Sequence, residues 1–162
     1  MKRFVAALSM IACAGLPAQA FEYVGAFRDW SVYQDLVNGE SVCFAATYAE
    51  DTAPRDVEHG EVVFFVTYFR NSQLPQASLR TNFNFREDLP ATAEVGGNSW
   101  MMYTARNEVF ANNSDERAIT DALKRGSELR VEAVSERDTE VAYHFSLSGS
   151  SSAIDRARAL CS

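Results

Sequence analysis

The chain is poor in the residues that most often carry chemistry. It has three cysteines and two histidines in 162 residues. No CxxC or HxxxH spacing offers a zinc site. His59 falls in the turn-like stretch VEHGE, and His144 on the polar face of an alternating segment. Both read as surface residues, and neither is spaced to a nucleophile and an acid as a Ser-His-Asp triad requires. Gly96-Gly97 has no GxGxxG pattern and no Walker lysine around it, so it reads as a tight turn and not as a phosphate cradle. The acidic stretch EDTAPRDVEHGE (50–61) lacks the alternating ligands of a calcium loop and reads as solvated. Carboxylates such as Asp51 and Asp56 have the chemistry for acid–base work, but nothing in the sequence singles them out. Asn112-Asn113-Ser114 matches a glycosylation sequon, a motif short enough to occur by chance. The sequence therefore names no catalytic, cofactor-binding or metal-ligating residue, and the expectation is that the protein is not an enzyme.

Positive charge is also scarce. Fifteen basic residues face 22 acidic ones, a formal net charge of −7. Phosphate backbones repel such a domain, so nucleic acid is not an expected partner. Apolar runs long enough to cross a bilayer are missing too. The nearest, from Phe4 to Leu16, follows Lys2 and Arg3 and precedes Pro17 and the small-x-small triplet Ala18-Gln19-Ala20. This is the pattern of a secretory signal covering residues 1–20, cleaved after Ala20. The expected product is periplasmic or outer-membrane-associated, has no transmembrane segment after cleavage, and forms one domain over 21–162. Losing Lys2 and Arg3 takes its net charge to about −9. Met10-Ile11-Ala12-Cys13 loosely matches a lipoprotein box, so lipidation of Cys13 stands as an alternative to its removal.

Once Cys13 leaves with the signal, Cys43 and Cys161 remain, and in an oxidising compartment two cysteines make one disulfide. The expected bond is Cys43–Cys161, with an intermolecular bond as the alternative. The positions are 118 residues apart. Closing so long a loop is worth on the order of 4–5 kcal/mol in the chain-entropy treatment.

Period-two alternation dominates the chain beyond the signal. Leu79, Thr81, Phe83 and Phe85 share one face of SLRTNFNFR, with polar residues on the other. ELRVEAVS and EVAYHFSLS alternate in the same way, and only the polar ERDT separates them, so they read as an antiparallel hairpin. EVVFFVTYF (61–69) is apolar at successive positions and reads as a central strand buried on both faces. Shorter candidates are 27–33, 42–48, 99–104 and 108–111, separated by turn material at 38–39, 59–60, 71–75, 96–98 and 112–114. Trp30 is expected in the core and Trp100 in the sheet.

Two segments carry helical spacing. SDERAITDALKRG has Ser114 or Asp115 as N-cap, an apolar stripe of Ile119, Ala122 and Leu123, basic residues in its last turn, and Gly126 as a left-handed stop. SSSAIDRARALC turns Ala153, Ile154, Ala157, Leu160 and Cys161 to one side, which sends Cys161 inward. The expected fold is mainly β: an antiparallel β-sandwich or flattened barrel of about eight strands with two short helices. An eight-stranded outer-membrane barrel would finish on a strand, whereas this chain finishes on a helical pattern.

FRDWSV, the following Cys43, Trp100, AITDALKRGSELRVEAVS and the closing YHFSLSGSSSAIDRARALC occur in an order and spacing that resembles the invasion-associated locus B family of exported alphaproteobacterial proteins. The chain departs from the family pattern at Tyr33-Gln34, Arg137-Asp138 and Ser150. The resemblance implies a small β-rich envelope protein, not defined by an enzymatic activity. The signal, the expected disulfide, the acidic surface and the lack of a triad or metal cluster lead to the expectation that it acts through a protein partner in the cell envelope or the host. A role in host invasion is implied for some family members only. The alternative is a carrier of small apolar ligands, with a pocket lined by Phe64, Phe83 and Tyr143.

Overall fold

The computed structural model of the protein describes residues 21–72 and 74–162. The expected signal segment, its cleavage point after Ala20, and Cys13 lie outside the described residues.

The described chain runs β1 (Glu22–Phe27), β2 (Trp30–Val37), β3 (Glu40–Tyr48), β4 (Asp51–Ala53), β5 (Val63–Phe69), β6 (Gln76–Arg80), β7 (Ala91–Val95), β8 (Asn98–Ala105), β9 (Glu108–Ala111), α1 (Glu116–Arg125), β10 (Glu128–Val134), β11 (Glu140–Ser146) and α2 (Ser150–Leu160). The eleven strands form one antiparallel sheet in the order β1-β2-β3-β5-β6-β9-β8-β7-β10-β11-β4. The expected antiparallel, mainly β class with two helices holds. The strand count rises from about eight to eleven, and one open sheet stands where a sandwich or flattened barrel was expected.

The sheet curls strongly. β3 and β4 are separated only by Ala49 and Glu50, yet β3 stands third in the order and β4 last. The far end therefore returns toward β3, and Glu50 donates its backbone N–H to the His144 carbonyl at 2.8 Å. Curling gives the sheet an inside. Trp30, Val32, Cys43, Ala45, Phe64, Val66, Leu79, Leu129, Val131, Tyr143 and Phe145 all point there with no exposed surface. Trp30 donates from Nε1 to the Ser146 carbonyl at 2.9 Å, so its polar edge is satisfied in the core.

The hairpin pairs Glu128 with Ser146 through to Val134 with Glu140, as the alternation predicts. The segment 79–86 pairs only in part. Its inward set stays buried at Leu79, Thr81 and Phe85, but β6 ends at Arg80. The Thr81 hydroxyl there donates to the Phe83 carbonyl at 2.7 Å, and the Phe85 N–H turns to Arg106 O at 2.7 Å. Polar side chains in the middle of an alternating run thus break the ladder without changing which side faces inward.

Both helices plug the inner side. Ile119 and Leu123 of α1 are fully buried, as are Ala153 and Ala157 of α2, with Ile154 nearly so. Each large aliphatic side chain buried in this way contributes roughly 1.5–3 kcal/mol. Gly126 stops α1, but at φ −80 and ψ 175 it is extended and not left-handed. It is required for space: a Cβ there would collide with the Val95 and Leu147 side chains. Just past α2, Cys161 bonds Cys43 with an S–S distance of 2.04 Å and Cα atoms 5.8 Å apart. The C-terminal helix is thereby tied to the strand it packs on.

Candidate functional site

A strand that sends alternate side chains inward sends the others outward. On a half-solvated sheet the outward set is ordinarily polar. Across β1, β2, β3, β5, β6, β9 and β8 it is aromatic in every strand but β6. Register places Tyr23, Tyr33, Phe44 and Thr67 in one cross-strand row. Ala46, Phe65, Ser78, Phe110 and Tyr103 form the next. The rings meet their neighbours. Tyr33 stacks on Phe44 with centroids 5.3 Å apart, and Tyr103 stacks on Phe110 at 5.3 Å. Tyr23 meets Tyr33 edge-on at 5.7 Å, and Phe44 meets Phe65 edge-on at 5.7 Å. Phe21, the first described residue, sets its edge against Phe44 at 5.1 Å. Such cross-strand aromatic pairs stabilise the sheet by up to about 1 kcal/mol each and hold the rings in place.

The result is a groove of about 490 Å³ on the outer surface of the sheet. Its floor is dry: Phe44 is 8% exposed. Its rim is not, since Tyr48 is 59% exposed, and Tyr23 and Tyr103, packed on the lining residues Tyr33 and Phe110, are 57% and 48% exposed. Arg80 lies across one end, its guanidinium carbon 5.5 Å from the Phe65 ring centre, with Nε donating to Glu108 Oε1 at 2.8 Å. Glu61 adds a second carboxylate to the lining. With Arg80 tied to Glu108, the border carries net negative charge. Contiguous exposed apolar surface of this kind marks binding sites on proteins that otherwise keep such residues inside. What the groove offers chemically is burial against fixed rings, with an electrostatic preference at its edge.

The sequence did not single out this face. EVVFFVTYF reads as buried on both sides, but only Val62, Phe64 and Val66 are buried, whereas Val63, Phe65, Thr67 and Phe69 open onto the groove. The legible signal was the aromatic residues at outward positions of neighbouring strands; pairing them needed the strand order.

His59, expected at the surface, is a core residue at 5% exposure. Its Nε2 lies 2.8 Å from the Pro54 carbonyl and its Nδ1 3.3 Å from the Tyr143 hydroxyl. A carbonyl can only accept, so Nε2 carries a proton and donates to it. Burial holds the Tyr143 phenol above its usual range. His144 does sit on the polar face, with Nδ1 3.1 Å from Glu128 Oε1. Asp51 pairs with Arg55 at 3.2 Å rather than acting with Asp56, and the Arg55 guanidinium lowers its pKa. Gly96 and Gly97, both at positive φ, make the turn between β7 and β8. Phe64 and Tyr143 are sealed in the core against Phe145 and His59, so no ligand pocket is lined by them together with Phe83, which is half-buried at the surface.

Sequence reasoning missed one further residue. Glu116 opens α1 at 2% exposure, and its Oε2 accepts the Ala77 N–H at 2.7 Å. Burial pushes its carboxyl up to about 8 against the opposing pull of that hydrogen bond. Glutamate at a helix start reads as dipole complementation, which masked its burial. Among the described residues no group of three or more His, Cys, Asp or Glu is placed to hold a metal ion, and no helix is long and apolar enough to cross a membrane.

Comparison with protein-family models and with curated protein sequences gives no match. Comparison with solved structures matches the crystal structure of invasion associated protein B from Bartonella henselae, at a TM-score of 0.57 and 17% identity, covering 82% of this chain and 93% of that one. The resemblance read from the order of FRDWSV, Cys43, Trp100 and the closing helix is thus shown at the level of the fold, which this chain shares with that protein.

Proposed function

We propose that the protein is an exported periplasmic or outer-membrane-associated envelope protein that acts by docking a protein partner, without catalysing a reaction. The observation that carries this reading is the pair of aromatic rows facing outward. The likeness to invasion associated protein B and the Cys43–Cys161 bond support export. The signal segment is removed after Ala20, which leaves Phe21 as the first residue, packed on the groove floor. The partner presents an apolar projection ringed by basic residues. Such a shape fills the groove and meets the carboxylates at its border, and an acidic domain steers it in.

In-cell photo-crosslinking tests this. A benzophenone side chain is placed at Tyr48 or Tyr103, on the groove rim, and at Arg137 or Asn113, exposed elsewhere. A discrete protein adduct from the rim positions alone supports docking. Adducts from the control positions alone, or none at all, count against it. An apolar molecule retained in native mass spectra and lost on Phe65→Ser would replace the protein partner with a small ligand.

A further inference from the structure

A second site shares no residue with the aromatic face. Between α1 and α2, with Tyr68 of β5 at its base, lies a cleft of about 260 Å³. Lys124 and Asp155 close an ion pair across it at 2.7 Å. That pairing leaves Arg117, Arg158 and Asp121 in the lining. Among the described residues, neither guanidinium takes part in an ion pair.

Helix stability does not account for Arg117, whereas Arg158 stands in the last turn of α2, where the dipole favours a cation. Arg117 stands in the first turn of α1, where the helix dipole disfavours a cation. Arg158 lies on the other helix and lines the same space. The cleft therefore carries one uncompensated positive charge in a chain of net charge −7. Its base adds a neutral donor. Burial raises the Tyr68 phenol to about 12 although Arg158 pulls it down, so it keeps its proton at neutral pH. In the wall, Thr120 is 5% exposed, and its hydroxyl is buried without a hydrogen-bond partner. The wall thus holds polar capacity that the fold does not use.

We propose that this cleft binds a small hydroxycarboxylate, its carboxylate held between Arg117 and Arg158 and its hydroxyl donating to Asp121. Guanidinium groups match the planar carboxylate, and a monoanion balances the excess charge. A phosphate dianion would overfill the charge and meet Asp121 as a repelling group.

The test is a titration of the purified protein followed by amide chemical shifts, with lactate, acetate and inorganic phosphate at constant ionic strength. Lactate is expected to give saturable shifts confined to α1, α2 and the strand around Tyr68, with acetate weaker. Arg117→Gln and Arg158→Gln should each weaken lactate binding roughly tenfold, the loss of a charged hydrogen bond. Arg156→Gln, exposed on α2 outside the cleft lining, should leave it unchanged. Non-saturating shifts, phosphate binding at least as tightly as lactate, or equal weakening by Arg156→Gln would overturn the proposal.

Discussion

Replacing both Cys43 and Cys161 by alanine removes the bond that ties α2 to β3 and leaves neither partner as a free thiol. The bond joins positions 118 residues apart, so its loss frees the unfolded chain by on the order of 4–5 kcal/mol. The native contacts of α2 survive, because Ala153, Ile154 and Ala157 remain buried. The helix should still dock, and the loss should fall on global stability. For a domain of this size the total is about 5–15 kcal/mol, so the change is large. Urea denaturation should show the midpoint falling by roughly 2 M at a slope near 2 kcal/mol/M. Hydrogen exchange should show the extra opening greatest at the end of α2. A midpoint shift corresponding to less than about 1 kcal/mol would refute the loop-closure reasoning.

Three further perturbations probe the core. Glu116 titrates near 8 folded against 4.5 unfolded. The folded state keeps a proton that the unfolded state has lost, so stability should fall as pH rises from 4.5 to 8 and then level off. Glu116→Gln keeps the acceptor for the Ala77 N–H without the charge. It should flatten that slope, of at most about 1.4 kcal/mol per pH unit, and parallel profiles for both proteins would contradict the reading. Gly126→Ala should cost about 1–3 kcal/mol through its collision with Val95 and Leu147, measured by thermal or urea unfolding; a neutral result would mean that the neighbours yield freely. His59→Phe removes both ring nitrogens and strands the Pro54 carbonyl and the Tyr143 hydroxyl, at a cost of about 1–3 kcal/mol; unchanged stability would show that water replaces both bonds.

What could be read from the residues was what local periodicity decides. The β10–β11 hairpin, both helices, the burial of Trp30 and the Cys43–Cys161 pair each follow from spacing within one segment or from a count. What escaped depends on distant neighbours. β7 is ATAEV, whose inward alanines and valine are too small to advertise a strand, yet it pairs along β8 and β10. β4 has three residues and exists because the curled sheet brings β11 to it. Gly126 announces a left-handed stop, but its conformation is extended, and only the approach of Val95 and Leu147 shows why no side chain fits. His59 lies in a polar loop by sequence and in the core because that loop folds over Tyr143. The aromatic face is the most consequential case. Each ring was visible in the sequence, but strand order and register alone place them side by side.

The decisive measurement is the equilibrium affinity of the crosslinked partner for the protein and for the Tyr48→Ser, Tyr103→Ser double variant. Both side chains are about half exposed, so the variant should keep its fold, with stability lowered only by the lost Tyr103–Phe110 stacking, about 1 kcal/mol at most. Each buried aromatic anchor of an interface is worth about 2 kcal/mol or more. If the partner docks on this face, the variant should bind roughly a hundredfold or more weaker, and raised salt should slow association with both proteins. Wild-type affinity in a correctly folded variant would contradict docking on the aromatic face.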